Sequence, residues 1–169
     1  MSSAAKIYPP ELFVQALKLI AEKSDVTFVY FGGKELTEWG KFFQQNLGNR
    51  LIDLSGKTTL RETCAVVSKT SMYIGTDTGT MHIAAALKLP VIMISKDAED
   101  SITNYFTLYP RFLPWQTPTK IVSAQHALKP CNENNIGCVV AHPHCITQIT
   151  PQSIADAFDI MKKIVYKSN

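Results

Sequence analysis

The feature that most restricts the fold of this chain is a regular alternation of two kinds of segment between Pro9 and Ser95. Short runs rich in β-branched and aromatic residues predict strands, and segments with apolar residues on one helical face predict helices. The predicted strands are VTFVYF, RLID, SMYIG and VIMIS, and the helices that alternate with them include ELFVQALKLIAEK, TLRETCAVVSKT and MHIAAALKL. This alternation predicts an α/β fold with a parallel sheet covered by helices on both faces.

The remaining segments complete this prediction. A second helix is expected from about Glu35 to Leu47, and beyond Ser95 the pattern becomes irregular and proline-rich. A last strand, KIVSA, and a helix from about Pro151 to Tyr166 end the chain. With 169 residues, of which 46% are hydrophobic, the chain is expected to form a single domain, residues 1–169, around one buried core.

Composition argues against two classes of partner. The formal net charge of +3 arises from lysines and arginines spread along the chain, with no basic block, so nucleic acid is not an expected partner. No segment approaches the roughly 20 apolar residues that a membrane-spanning helix needs, and no transmembrane segment is expected. The N-terminus shows no apolar stretch after a basic start, which favours a cytoplasmic protein.

The segment YIGTDTGTMHIAAAL contains the main candidate for a binding site. It joins a predicted strand to a predicted helix, and ligands of open α/β sheets bind beyond the carboxyl ends of the strands. The first amides of a helix lack partners within it, Gly79 allows a close backbone approach, and Thr78 and Thr80 add hydroxyl donors. These residues predict a phosphate-binding turn.

A charged diphosphate is expected to need a cation as well as this turn. A helix terminus contributes about 0.3 to 1 kcal/mol toward an anion, and up to roughly 2 when partly buried. A unit charge pair about 4 Å apart contributes about 4 kcal/mol at an effective dielectric near 20, before desolvation costs. Lys6, just before the first helix, is the candidate for this cation.

Each site residue also has a structural interpretation. Asp77 could serve only as a helix N-cap, which aspartate favours, and His82 could be a satisfied, partly buried histidine. Lys6 could be an ordinary surface lysine. The Asp-Thr-Gly sequence at Asp77 is also the core of aspartic protease sites, in which two such turns pair their carboxylates. Those proteins are all-β, so the alternation of strands and helices argues against a protease.

A late segment of the chain is rich in cysteine and histidine. Cys131, Cys138 and Cys145 recur every seven residues, with His142 and His144 close by. These side chains could bind zinc or iron, although the spacing is looser than that of paired Cys-x-x-Cys motifs. We favour reduced thiols that pack an irregular loop, and no metal or other cofactor is expected.

Taken together in order, the segments KIYPPELF, FGGKE, LSGKTTLRETCAVVSKTSMYIGTDTGTMHIAAALKLPVIMI and CITQITPQSIADAF resemble the C-terminal half of the family 9 glycosyltransferases. This family includes the bacterial heptosyltransferases of lipopolysaccharide core assembly. The resemblance runs from about Lys6 to Ile164. It implies a Rossmann-like domain that binds a nucleotide sugar, the donor half of a two-domain GT-B enzyme.

The resemblance also implies roles for individual residues. Lys6 matches the lysine that meets the donor diphosphate, and Glu35, after two glycines, matches an acidic residue at the donor ribose. Asp77 matches the aspartate that contacts donor sugar hydroxyls, and His82 matches the histidine of the same motif. The phosphate-binding turn corresponds to Thr78, Gly79 and Thr80. For Glu35 and His82 these roles rest on the resemblance alone.

For the whole enzyme, the resemblance implies sugar transfer with inversion from a nucleoside-diphosphate sugar, most plausibly ADP-heptose, to a lipopolysaccharide core or another glycan. The general base is expected in an N-terminal, acceptor-binding half that this chain lacks, so the chain alone should bind donor but transfer sugar poorly. It would be cytoplasmic, either free or peripheral to the inner membrane. The alternative is a nucleotide-sugar-binding module or a degenerate remnant without catalysis.

One departure from the family concerns the sheet. Family members carry an apolar strand immediately before the lysine, whereas here only MSSAA precedes Lys6. In a doubly wound order that strand lies in the middle of the sheet. Because unpaired buried backbone groups are costly, we expect a longer chain or a partner chain to fill the position between TFVYF and MYIG.

Overall fold

The structure is a computed structural model that describes residues 3–100, 112–131 and 140–167. Within these residues the chain forms five strands and five α-helices in alternating order over its first part. The strands are β1 (Phe28–Tyr30), β2 (Leu51–Asp53), β3 (Tyr73–Thr76), β4 (Val91–Ile94) and β5 (Thr119–Val122). The helices are α1 (Pro10–Lys23), α2 (Thr37–Leu47), α3 (Leu60–Val67), α4 (Gly79–Ala86) and α5 (Pro151–Lys167).

Local sequence explains where several of these helices begin. Helix α1 has Pro10 in its first turn, where the missing amide of proline is no loss. Helix α3 follows a capping box, in which the Thr59 side chain accepts from the Glu62 amide and the Glu62 side chain accepts from the Thr59 amide. This reciprocal pairing satisfies two amides that the first helical turn leaves without partners.

All strand pairs in the described residues are parallel, as the sequence predicts. Strand β1 pairs with β2, while β3, β4 and β5 form a second sheet in that order. Because β4 is paired on both sides and all four of its residues are buried, it forms the centre of the second sheet.

Helices cover both faces of the sheet formed by β3, β4 and β5. On one face, Ile92 and Ile94 pack in a cluster with residues of α1 and α5. On the other face, Val91 and Met93 pack with Val67 of α3 and with residues of α4. Alternate residues of one strand therefore contact opposite helical layers, which confirms the predicted α/β architecture.

The two sheets are not joined by strand pairing within the described residues. In the part of the chain that the structure describes, no strand pairs with the edge of β1 away from β2 or with the edge of β3 away from β4. Phe28 of β1 and Ile74 of β3 nevertheless pack against the same core cluster. The interruption lies at the position where the sequence predicts a missing strand.

A search of the described residues finds no helix that is both long and apolar enough to span a membrane. The irregular segment that the sequence predicts after β4 falls partly on residues 101–111, which lie outside the described residues.

Candidate functional site

The start of α4 presents unpaired backbone amides to solvent. Thr78 is the N-cap residue, with extended backbone angles and no hydrogen bond from a helical amide to its side chain. The first intrahelical bond runs from the amide of His82 to the carbonyl of Thr78, at 3.3 Å. The amides of Gly79, Thr80 and Met81 therefore precede the helical ladder, as in any helix. Thr78 and Gly79 are exposed, so an anion can reach this turn.

Asp77 lies one residue before the N-cap and holds two other site residues. Its Oδ2 atom is 2.5 Å from Lys6 Nζ, and its Oδ1 atom is 3.3 Å from His82 Nε2. Only 15% of the Asp77 side chain is exposed, compared with 30% for Lys6 and 43% for His82. The alternative interpretation of Asp77 as an N-cap is therefore wrong, because Thr78 has that position and the carboxylate points to a lysine and a histidine.

Lys6 is positioned by the chain that follows it. Lys6 ends a short 3-10 helix, Ser3–Lys6, two residues before the buried Tyr8. The Tyr8 hydroxyl donates to the carbonyl of Ile149 at 2.7 Å, and α1 begins at Pro10. This anchor and the start of the helix fix the backbone near Lys6, so its ammonium group reaches Asp77 across a long sequence separation.

Tyr73 extends from the beginning of β3 to the predicted phosphate-binding turn at Thr78–Thr80. Its ring lies across Gly75, where a side chain would collide with the Tyr73 hydroxyl. The Tyr73 Oη atom lies 3.0 Å from Thr78 Oγ1. Burial raises the pKa of Tyr73 to about 12, and the nearby Asp77 carboxylate acts in the same direction while the Thr78 hydrogen bond opposes it. Tyr73 is therefore protonated at neutral pH and can orient the Thr78 hydroxyl.

Sequence reasoning missed two charged residues in the loop after β4, which follow Ser95. Lys96 and Asp97 line the same small pocket as Lys6, Thr76 and Asp77. Lys96 Nζ donates to Asp97 Oδ1 at 2.6 Å, and the two side chains are 6% and 2% exposed. Asp97 Oδ2 is buried and has no hydrogen-bond partner among the described residues. The available signal was a pair of opposite charges one residue beyond the end of a fully apolar strand.

The structure does not bring Glu35 into contact with the other predicted site residues. Glu35 is exposed in a 3-10 turn after β1, with its carboxylate beside Gly33. Within the described part of the chain, no hydrogen bond or ion pair joins Glu35 to Lys6, Asp77 or His82. Its predicted role at a donor ribose remains a prediction.

Three of the late cysteine and histidine residues come together elsewhere in the fold. Cys131, His144 and Cys145 each place a potential ligand atom within 4.8 Å of the others. Cys138, the remaining cysteine of this predicted set, lies outside the described residues.

The parallel sheet and the exposed start of α4 define the general class of the protein. It is an α/β domain with a polar site beyond the carboxyl ends of β3 and β4, where such folds bind their ligands. The model of glycosyltransferase family 9 (heptosyltransferase) matches residues 1–139. The chain therefore belongs to glycosyltransferase family 9.

Two named relatives agree with this assignment. The chain is 22% identical over 158 residues to a lipooligosaccharide heptosyltransferase 2 of Campylobacter jejuni subsp. jejuni serotype O:2, covering 90% of this chain and 46% of that protein. A protein of the same name from serotype O:6 is 25% identical over 114 residues, covering 67% of this chain and 32% of that protein. The chain thus spans less than half the length of these relatives.

Two solved structures share the fold. The Escherichia coli ADP-heptose lps heptosyltransferase II has a TM-score of 0.70 at 19% identity, with 99% of this chain and 45% of that chain covered. A family 9 glycosyltransferase from Veillonella parvula has a TM-score of 0.68 at 17% identity, with 95% and 43% covered. These two matches confirm the predicted fold class, and the family model confirms the resemblance to family 9.

Proposed function

We propose that this chain is the donor-binding part of a family 9 glycosyltransferase and that it binds a nucleoside-diphosphate sugar at the start of α4. The observation that carries this proposal is the Lys6–Asp77 contact beside the uncapped amides of α4. A cation and a helix N-terminus at one site are complementary to a diphosphate. The carboxylate of Asp77 would accept hydrogen bonds from donor sugar hydroxyls, and the Thr78–Thr80 turn would hold phosphate oxygens.

Lys6 and the N-terminus of α4 contribute different amounts of electrostatic stabilisation to a bound diphosphate. Hydrogen bonds to charged groups contribute about 1.5 to 3 kcal/mol net, whereas a helix terminus contributes about 0.3 to 1 kcal/mol at an exposed position. The ammonium group of Lys6 is thus the stronger contributor. Because Lys6 is 30% exposed, its ammonium can contact an incoming diphosphate while Asp77 and His82 remain in place.

The same groups would assist the chemistry of an inverting transfer. An acceptor hydroxyl would attack the anomeric carbon, and the bond from that carbon to the diphosphate oxygen would break. Negative charge would grow on the departing nucleoside diphosphate, next to Lys6 and the α4 amides. Stabilisation that is stronger in the transition state than in the bound donor accelerates the reaction.

The names of the relatives and of the matched solved structure suggest the donor and the acceptor. ADP-heptose is the favoured donor, and the lipopolysaccharide core or another glycan is the favoured acceptor. We place the acceptor site and the general base in the part of the relatives that this chain does not match. The proposal puts the chain in the cytoplasm, free or peripheral to the inner membrane, and a further strand from a longer chain or a partner would pair between β1 and β3.

Calorimetric titration with ADP-heptose, and with ADP, UDP and GDP sugars for comparison, tests donor binding. Lys6→Ala and Asp77→Ala should each weaken ADP-heptose binding by about 10- to 100-fold, the range for a lost charged hydrogen bond. Lys41→Ala and Asp25→Ala are matched controls, because both residues form exposed ion pairs elsewhere, with Glu38 and Arg50. The controls should bind as tightly as the original chain.

Unchanged affinity in both site variants, with folded protein by circular dichroism, would contradict the proposed site. A separate assay distinguishes an enzyme from a binding module. Donor hydrolysis and transfer to a glycan acceptor are measured for this chain alone and after the remaining half of a relative is added. Transfer that depends on the added half supports the enzyme, and tight binding without turnover in either sample favours the module.

A further inference from the structure

Cys131, His144 and Cys145 form a cluster of three potential metal ligands between β5 and α5. The sulfur of Cys145 lies 3.4 Å from His144 Nδ1, and the sulfur of Cys131 lies 3.6 Å from the same nitrogen. The two cysteines are 2% and 3% exposed, and His144 is partly buried. Two thiol groups thus face one imidazole nitrogen in a largely enclosed position.

These distances match those between ligands that share a zinc ion. With Zn–S near 2.3 Å and Zn–N about 2.0 to 2.1 Å, a tetrahedral angle separates sulfur from nitrogen by about 3.6 Å. The ligand atoms of all three residues lie within 4.8 Å of one another. A single ion can therefore contact all three without movement of the backbone.

Simple packing does not explain the arrangement equally well. A buried cysteine often behaves as a small apolar residue, and Ala98, Ala124 and Ala127 do surround this pair. Both sulfurs, however, face a ring nitrogen of His144 rather than only methyl groups. The amide of Leu128 also donates to Cys145 Sγ at 3.3 Å. An amide donor to sulfur and an apolar surround are the outer contacts that tune metal-bound thiolates.

We propose that Cys131, His144 and Cys145 bind one Zn²⁺ ion, through both sulfurs and His144 Nδ1. Thiolate and imidazole donors favour zinc over magnesium, calcium or manganese. Three protein donors leave one tetrahedral position for water or another donor. The two thiols must lose their protons on binding, so the affinity for zinc falls as the pH falls.

The position of the cluster indicates a structural role. Cys131 follows β5, whereas Cys145 begins the short 3-10 helix Cys145–Gln148 that leads into α5. Ala98, which packs on the two cysteines, directly follows the buried Lys96–Asp97 pair. An ion here would tie the segment after β5 to the segment before α5. This connection lies beside the loop after β4, whose Lys96 and Asp97 line the proposed donor pocket.

Elemental analysis of the 169-residue chain, purified under reducing conditions and dialysed without chelator, tests this proposal. We expect about one zinc per chain, as for any single structural site. Cys131→Ser, Cys145→Ser and His144→Gln should each lower the zinc content at least fivefold. Cys64→Ser and His126→Gln are matched controls, because Cys64 lies outside the cluster and His126 is an exposed histidine that pairs with Asp100. Both variants should retain the ion.

A second measurement does not depend on the folding of the variants. The original chain is stripped with a chelator and titrated with Co²⁺ alone, and the sulfur-to-cobalt charge-transfer absorption is recorded. An absorption of thiolate-bound, tetrahedral Co²⁺ that Zn²⁺ then displaces supports the site. The bound ion should also slow alkylation of the Cys131 and Cys145 thiols by a thiol reagent, while alkylation of Cys64 stays unchanged. This difference identifies the ligands.

Zinc content below about one tenth per chain, together with no thiolate absorption on Co²⁺ titration, would overturn the proposal. Equal loss of zinc in Cys64→Ser and Cys131→Ser would also overturn it. A disulfide between Cys131 and Cys145, detected by mass spectrometry of protein kept reduced during purification, would have the same consequence.

Discussion

Lys96 and Asp97 are charged side chains that the fold almost completely removes from solvent. Lys96 Nζ lies 2.6 Å from Asp97 Oδ1. The Ser95 hydroxyl accepts a hydrogen bond from the Asp97 amide and donates one to the Asp97 carbonyl. A buried pair gains little net stability over apolar residues of the same size, but removal of one partner leaves an uncompensated buried charge. Substitutions of Lys96 and Asp97 should therefore have strongly non-additive effects on the free energy of unfolding.

Lys96→Met is expected to lower the free energy of unfolding by about 3 to 5 kcal/mol, the cost of an unpaired buried charge. The double variant Lys96→Met/Asp97→Leu removes both charges and should recover most of that loss. Urea unfolding followed by circular dichroism measures all three proteins. A loss below about 1 kcal/mol in the single variant, within the range for exposed pairs, would mean that water reaches Asp97.

Residues near the site differ in how far the sequence could predict them. The position of the strand-to-helix turn at Thr78 to Thr80 was predictable because a strand pattern gives way there to a helical one, and its role in binding an anion stays a prediction. The pairing of Lys6 with Asp77 was not predictable, because it joins segments 71 residues apart in sequence through tertiary packing. Lys96 and Asp97 were overlooked for a similar reason, since their burial depends on how the loop after β4 folds back.

Helices α2 and α4 each contain a glycine, and the structure gives the two glycines opposite surroundings. Gly40 of α2 is buried, and a β-carbon there would collide with Asp53 Oδ1 and Ser55 Oγ. These oxygens are not free to move, because the Ser55 hydroxyl and amide both donate to Asp53 Oδ1. A β-carbon on Gly79 of α4 would meet nothing within 4 Å.

Gly79→Ala should therefore leave the folded protein about as stable, because an added β-carbon meets nothing within 4 Å and alanine favours helices over glycine. It should weaken ADP-heptose binding at least tenfold if the backbone of α4 approaches the diphosphate closely. Gly40→Ala is the matched control, expected to cost about 1 to 3 kcal/mol of stability through overpacking with unchanged donor affinity. Thermal unfolding and calorimetry separate the two effects, and tight donor binding by Gly79→Ala would contradict the close approach.

The elements themselves were largely predictable from local sequence. The helix expected at TLRETCAVVSKT is α3 (Leu60–Val67), and its capping box at Thr59 and Glu62 is a local signal. The helix expected from about Glu35 begins at Thr37 instead, because residues Lys34–Leu36 form a 3-10 turn. The tertiary contact that brings Cys131 beside His144 has no such local signal. The spacing of the cysteines in the sequence therefore could not decide between packed thiols and a metal site.

At the scale of the whole molecule, the described residues form two parallel sheets, and Phe28 of β1 and Ile74 of β3 pack against the same core cluster. Strand β4 has neighbours on both sides, whereas β1 and β3 each have one neighbour among the described residues. A buried strand edge without partners is costly, and it is also a template for another strand. The absence of pairing between β1 and β3 is the structural basis for the proposed additional strand.

Hydrogen exchange, followed by mass spectrometry or NMR, tests whether the position between β1 and β3 lacks a paired strand. In the 169-residue chain alone, amides of β4 should exchange only with near-global unfolding, since its residues are at most 1% exposed and paired on both sides. The amides of β1 and β3 that face the open position should exchange at least tenfold faster. Light scattering on the same sample serves as the control for self-association. Equal protection of all three strands in a monomer would show that the sheet closes without a further strand, whereas equal protection in a dimer would show that a second copy supplies it.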